Sequence, residues 1–277
     1  MGFRISTNIS AIQARRQQSV TKLKLDKAFA QLASGSRINK AADDAAGLSM
    51  GSMLGSAVVS IKQANRNARD GVSMLQVAEG GLNEVGNILT RVRELGVQAS
   101  SDTLGDVERG FVQKEVHLLK LEMDRISATT TWGKTKLLDG ESKDFEFQVG
   151  IRNNDFEDRI VFDATQNNST LESFGLEGMD FSDKSNAQES LAKLDEAMIQ
   201  LNGMRSNIGA IENRLHHGIS NQEIYLENLM AAKSRIMDTD VAEASALLSQ
   251  KQILMQSAVS VQAQANQSPS LALKLLS

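Results

Sequence analysis

The sequence predicts a mainly α protein: an elongated antiparallel helical bundle or coiled coil, with a small β-hairpin region at the end distal to the termini. Three observations carry this expectation. The 277-residue chain holds one proline, Pro269, and proline is the residue that removes an amide donor and clashes inside a helix. Apolar residues recur at helical spacing in a single register for about 45 residues from Leu191. Only one segment alternates with the period of a strand. Aromatic residues make up 4% of the chain, which disfavours a thick core, because rings supply much of a core's buried area.

Each element follows from its own pattern. The N-terminal stretch shows Ile5, Ile9, Ile12, Val20 and Leu23, an amphipathic helix. A second series runs Ala78, Leu82, Val85, Leu89, Val92, Leu95 and Ala99. Ser100, Ser101, Asp102, Thr103 and Gly105 then break it. Val112, Val116, Leu119, Met123 and Ile126 form a third series. Phe145, Phe147, Val149 and Ile151 alternate with polar residues, Asn153-Asn154-Asp155 supply turn chemistry, and Ile160 and Phe162 resume the alternation. Residues 165–186, rich in Asn, Ser, Gly and acid, read as a surface loop. The long series from Leu191 passes through Leu194, Leu201, Ile208, Leu215 and Ile219 to Ile236. It predicts a helix on the order of 70 Å, a rod rather than a wrap around a compact core. Leu247, Leu254 and Val261 stand at sevens near the C-terminus, with Ala258 and Ala265 between. Both terminal helices therefore carry thin, alanine-containing seams.

The net charge of −4 argues against nucleic acid as the main partner. Its distribution is uneven: residues 1–40 hold eight basic side chains against Asp26, whereas 139–183 hold twelve acids against three bases. With no cysteine, disulfides and thiolate chemistry are excluded. No stretch approaches the ~20 apolar residues of a membrane span, so membrane insertion is not expected. A cleavable secretory signal is not evident at the N-terminus, although its basic, acid-poor helix also fits an organellar transit peptide.

Chemical motifs give little. Gly47-Leu48-Ser49-Met50-Gly51 matches a nucleophile-elbow string, but that motif needs a preceding strand, and Ala41-Ala42-Asp43-Asp44-Ala45-Ala46 reads as a helix start. Gly47, Gly51 and Gly55 at fours suit either a close helix contact or local flexibility. Asp238-Thr239-Asp240 resembles a metal triplet, yet Asp240 with Glu243 better fits a helix cap. His216 and His217 diverge on a helix and suit a chelate poorly. Ser142, Thr165, Ser169, Thr170 and Ser173 are candidate glycosylation hydroxyls. No enzyme activity, cofactor or metal is expected.

A two-helix seam of small residues buries little area against the backbone entropy of ordering it. The ends are therefore expected to gain stability by packing against copies of themselves, and a heterologous contact of that kind propagates into a filament.

Specific strings sharpen this. They include Leu32-Ala33-Ser34-Gly35-Ser36-Arg37-Ile38-Asn39, Asp43-Asp44-Ala45-Ala46-Gly47-Leu48 and Ala78-Glu79-Gly80-Gly81-Leu82-Asn83-Glu84. Towards the C-terminus stand Arg205-Ser206-Asn207-Ile208-Gly209-Ala210, Ser234-Arg235-Ile236-Met237-Asp238-Thr239-Asp240 and Gln262-Ala263-Gln264-Ala265-Asn266-Gln267. Across residues 1–138 and 187–277 the chain resembles bacterial flagellin, in a short form lacking the outer variable domains.

The resemblance implies a structural subunit that self-assembles into the helical flagellar filament used for swimming. It implies an inner-tube helix at 1–40 paired with another at 240–277. The outer helical domain would be built from 41–138 and 187–239, with 139–186 as hairpin and surface loop. The subunit interface would include Ile5, Ile9, Ile12, Val20 and Leu23 with Leu247, Leu254, Ala258, Val261 and Ala265. Arg91, Leu95 and Glu115 match positions that in many flagellins meet the innate immune flagellin receptor or serve lateral packing. Implied partners are further copies of the chain, a flagellar secretion chaperone at about 238–277, and hook-associated and cap proteins. Export by the flagellar type III apparatus would place the protein outside the cell, or within a sheath. A hook–filament junction protein, or a cytoplasmic coiled-coil signalling or adaptor protein, are the alternatives.

Overall fold

A computed structural model describes residues 7–141 and 143–274. Ile5 and Ser142 lie outside the described residues. The chain divides into two compact units: one formed by its two ends, through Val58 and from Glu227, and one by Val59–Leu226. The helical fold class with a small hairpin is as the periodicity predicts.

In the unit of the two ends, α1 (Ile9–Ser34) begins at an asparagine cap, where Asn8 Oδ1 accepts from the Ala11 amide at 3.0 Å. It ends at Gly35 with φ 68°, a left-handed conformation that glycine adopts without a Cβ penalty. The first turns of α2 (Ala45–Ala99) and the last turns of α5 (Lys184–Met237) belong to the same unit, followed by α6 (Val241–Lys274). Asp240 Oδ1 caps α6 by accepting from the amides of Ala242 at 2.8 Å and Glu243 at 3.2 Å. The capping reading of that acidic triplet holds, and among the described residues no cluster of three His, Asp or Glu side chains could hold a metal.

The 55-residue α2 starts well before the series that predicts it. Its early turns lack large residues at regular spacing, and Gly47, Gly51 and Gly55 hide the period. Close approach explains the middle glycine: a Cβ on Gly51 would fall 2.7 Å from Met237 Cγ and closer still to its Sδ, so α5 sits directly on its backbone. The elbow-like string around Ser49 lies within this helix.

The other unit is a helical core built by α2, α3 (Asp106–Thr129) and α5. Leu75, Leu82, Val85 and Leu89 of α2 pack with Val116 and Met123 of α3 and Leu194, Ile208 and Leu215 of α5, all within 2% of full burial. The α2–α3 turn is held by Arg109, only 7% exposed, whose Nε donates to Ala99 O and Nη2 to Ser101 O, both at 3.0 Å. These are carbonyls at the end of α2, where a cation is favourable.

Two antiparallel strand pairs complete this unit. β1 (Thr131–Trp132) pairs β2 (Thr135–Lys136) around a turn through Gly133, a hairpin that sequence alternation is too short to reveal. β3 (Phe145–Gln148) pairs β4 (Arg159–Phe162) with Phe145 opposite Phe162 and Phe147 opposite Ile160, as expected. A four-residue helical turn, α4 (Asp155–Asp158), precedes β4, while Val149 and Ile151 lie beyond the ladder. The hairpin docks on α2, where Asn67 Nδ2 donates to Gln148 O at 3.2 Å.

One expectation is corrected. Residues 165–186 do not form a surface loop: Leu171, Phe174, Leu176, Met179 and Phe181 all enter the core, and Asn167 and Ser169 are fully buried. The acidic and polar residues between them hold solvent and turns. Asp124 Oδ1 accepts from the Leu171 amide at 3.0 Å, and Gln113 Oε1 from the Phe181 amide at 2.8 Å, so α3 satisfies the backbone of a segment that has no ladder of its own. Among the candidate glycosylation hydroxyls, Ser169 Oγ is turned inward on Leu138 O at 3.4 Å.

Candidate assembly interface

The terminal helices α1 and α6 pack against each other in antiparallel fashion. Asn8 Nδ2 donates to Ala265 O at 2.7 Å at one end of the pair. At the other end the Thr239 amide donates to Gly35 O at 3.0 Å and the Arg37 amide to Met237 O at 2.6 Å, around a bridge between Ser36 and Asp238. Arg37 Nη2 also reaches Ile236 O at 2.8 Å, so the loop after α1 caps the end of α5. Beside this joint Asp43 accepts from Lys27 Nζ at 2.8 Å and from the amides of Asn39 and Lys40. These hydrogen bonds, Lys27's first, hold its carboxyl below the usual carboxylate range.

The seam within the pair is thin. On α1 it is Ala11, Ala14, Gln18, Thr21, Leu25, Ala28 and Leu32, buried or half-buried at alternating steps of three and four. On α6 it is Ala244, Leu248, Lys251, Met255, Ala258, Gln262 and Ala265 at the same steps. Small and polar residues thus make up most of the inside, with Leu25, Leu32, Leu248 and Met255 among them, while many of the larger apolar side chains remain outside. Ile9 is 54% exposed, Ile12 59%, Val20 39% and Leu23 68%. At about 100° per residue these four share one side of α1, opposite the seam.

On α6, Leu247, Leu254 and Val261 are exposed along one flank of the seam. The predicted interface residues therefore fall into two groups. Ile9, Ile12, Val20, Leu23, Leu247, Leu254 and Val261 face outward, whereas Ala258 and Ala265 belong to the pair itself. Sequence reasoning places Ala258 and Ala265 on a seam, but Ala11, Ala14, Gln18 and Thr21 and the contributions of Asn8 and Arg37 escape it. Their signals were present as an asparagine directly before the apolar Ile9 and as Ala14, Thr21 and Ala28 at heptad spacing.

The second predicted face lies in the core unit. Arg91 Nη2 meets Glu115 Oε1 at 2.8 Å and Arg91 Nη1 meets Glu94 Oε2 at 3.1 Å, joining α2 to α3. The Glu115 hydrogen bond, then that of Glu94, raises the affinity of Arg91 for its proton further. Leu95 is not on this face: at 2% exposure it is a core residue. Among the described residues no helix is long and apolar enough to cross a membrane.

Comparison with known proteins matches residues 5–143 to the bacterial flagellin N-terminal helical region and residues 191–276 to the bacterial flagellin C-terminal helical region. A flagellin of Halalkalibacterium halodurans is 38% identical over 98% of this chain and 99% of its own length. The flagellar filament 33 kDa core protein of Treponema phagedenis is 33% identical, again over 98% of this chain and 99% of its own. The crystal structure of Bacillus cereus flagellin superposes with a TM-score of 0.50 at 28% identity, covering 57% of this chain and 88% of that one.

Proposed function

The chain belongs to the bacterial flagellin family, a structural subunit of the flagellar filament, and from that premise we propose how it assembles. The family match favours this reading over a hook–filament junction protein and over a cytoplasmic adaptor. The α1–α6 pair is the inner-tube element of the filament, with 1–40 and 240–277 as its two strands of chain. Copies contact one another through Ile9, Ile12, Val20 and Leu23 on α1 and Leu247, Leu254 and Val261 on α6.

One observation carries the proposal: Ile9, Ile12, Val20 and Leu23 stand opposite the intrachain seam of α1 and are 39–68% exposed. Burying a side chain of that size fully is worth roughly 1.5–3 kcal/mol. A surface holding several of them drives association once enough copies are present to offset the ordering entropy. The same side chains explain how ends with a seam of alanine, glutamine and threonine gain order upon polymerisation.

Further roles follow from the family reading. The chain leaves the cell through the flagellar type III apparatus and acts outside it. A secretion chaperone holds about 238–277, covering the outward residues of α6 before export. Hook-associated and cap proteins bound the filament. Arg91 and Glu115 serve lateral packing and offer the charged part of an immune-receptor contact, while Leu95 supports them from the core.

The test is the double variant Ile12→Asp/Leu23→Asp. It is expected to remain a soluble, helical protein with an unchanged melting transition for Val59–Leu226, yet to add no length to filament seeds of the unsubstituted chain. Normal filaments from the variant would overturn the proposed surface.

A further inference from the structure

Pro269 lies within α6. Proline has no amide hydrogen, so the carbonyl four residues earlier, that of Ala265, cannot receive its helical hydrogen bond. That carbonyl is the one to which Asn8 Nδ2 donates at 2.7 Å. The other end of the same carboxamide, Oδ1, accepts from the Ala11 amide at 3.0 Å and caps α1. Two groups left over by helix geometry, an N-terminal amide of α1 and an interior carbonyl of α6, are thus satisfied by one planar side chain. Only one orientation of the amide serves both, since the oxygen must accept and the nitrogen donate.

We propose that Asn8 and Pro269 together hold the register of the terminal helix pair at the end away from the Gly35–Thr239 joint: proline frees the Ala265 carbonyl, and the Asn8 carboxamide engages it. The seam itself specifies register weakly. Ala14 and Ala28 on α1, and Ala244, Ala258 and Ala265 on α6, repeat at multiples of seven. At Ala14, Thr21 and Ala28, and at Ala258 and Ala265, a slip by one heptad exchanges small residues for small residues, so these positions do little to resist it. The slip does move the Ala265 carbonyl away from Asn8 by two turns, leaving a partly buried acceptor unsatisfied and the carboxamide nitrogen without its partner. A single polar group that is satisfied in one register alone is a known means of fixing helix alignment. Here it sits at the end of the pair, where fraying would otherwise begin. The inference goes beyond the assembly reading, because it concerns how each subunit's own two helices align.

The experiment is a thermodynamic cycle in the full-length chain, read as the critical concentration for elongating filament seeds. Asn8→Ser keeps a good capping oxygen but is too short to reach Ala265, and Asn8→Asp keeps the size and the cap but has no donor. Each is expected to raise the critical concentration about tenfold. In a Pro269→Ala background, residue 269 supplies its own amide to Ala265, and the same substitutions are expected to raise it less than about twofold. The register reading is overturned if either substitution has the same effect in both backgrounds, or if neither has an effect with Pro269 in place. Complete loss of elongation in Asn8→Ser that Pro269→Ala restores supports it, and loss that persists in both backgrounds counts against it.

Discussion

Gly80 and Gly81 are consecutive residues of α2, and alanine should stabilise the protein at Gly80 but not at Gly81. A Cβ on Gly80 meets nothing within 4 Å, whereas a Cβ on Gly81 would fall 2.6 Å from Thr130 Oγ1 and 2.7 Å from Leu138 Cδ1. Alanine in a helix interior is favoured over glycine by about 1 kcal/mol. Gly80→Ala should gain that amount outright, a rise in Tm of about 2–4 °C for a domain of this size. Gly81→Ala gains the same helix term but forces its neighbours apart. Leu138 is fully buried, and Thr130 Oγ1 is tied to Ile126 O at 2.8 Å, so neither yields freely. Overpacking of this kind costs about 1–3 kcal/mol, leaving Gly81→Ala between neutral and about 2 kcal/mol less stable. Thermal and urea unfolding of the soluble full-length variants, followed by circular dichroism, gives both values. If Gly81→Ala is stabilised as much as Gly80→Ala, the 130–138 segment does not lie against α2 and the packing argument fails.

Two further predictions rest on other parts of the structure. Arg109→Ala should cost about 3 kcal/mol in urea unfolding, since it orphans two carbonyls at the end of α2; Arg109→Lys should recover little, because one ammonium cannot replace a fork. The lowered carboxyl of Asp43 stabilises the joint above its unfolded value of about 4 and loses that contribution as pH falls through its folded value. Amide exchange at Asn39 and Lys40 should therefore accelerate below about pH 4, beyond the intrinsic pH trend, and Asp43→Asn should abolish that extra acid step; an unchanged step would assign it to another group.

The helices were legible wherever burial is one-sided and regular. In α5 the series Leu194, Leu201, Ile208 and Leu215 is fully or nearly fully buried, because a straight helix against one core repeats its contacts every three or four residues. Residues 171–181 were not legible for the converse reason. Leu171, Phe174, Leu176, Met179 and Phe181 enter the core from a chain that changes direction between them, so no single period describes their spacing. Their backbone partners, Asp124 and Gln113, are distant in sequence and carry no local signal. Composition pointed toward solvent there because acidic residues, serine and glycine together outnumber the five that matter.

The predicted assembly residues show the same division. Which residues of α1 share a side is a local property, and Ile9, Ile12, Val20 and Leu23 were recognisable as one stripe. Which side meets α6 depends on how closely two backbones can approach, and alanines at 11, 14 and 28 allow the closer contact. The sequence by itself determined the helices, their amphipathic stripes, the main hairpin and the family. Only the tertiary structure decided that a seam of mostly small and polar residues pairs within the subunit while Ile9, Ile12, Val20 and Leu23 remain outside, and that Asn8 meets the carbonyl freed by Pro269. Periodicity orders the residues around one helix; the choice of partner belongs to the shapes and unpaired hydrogen-bonding groups of two.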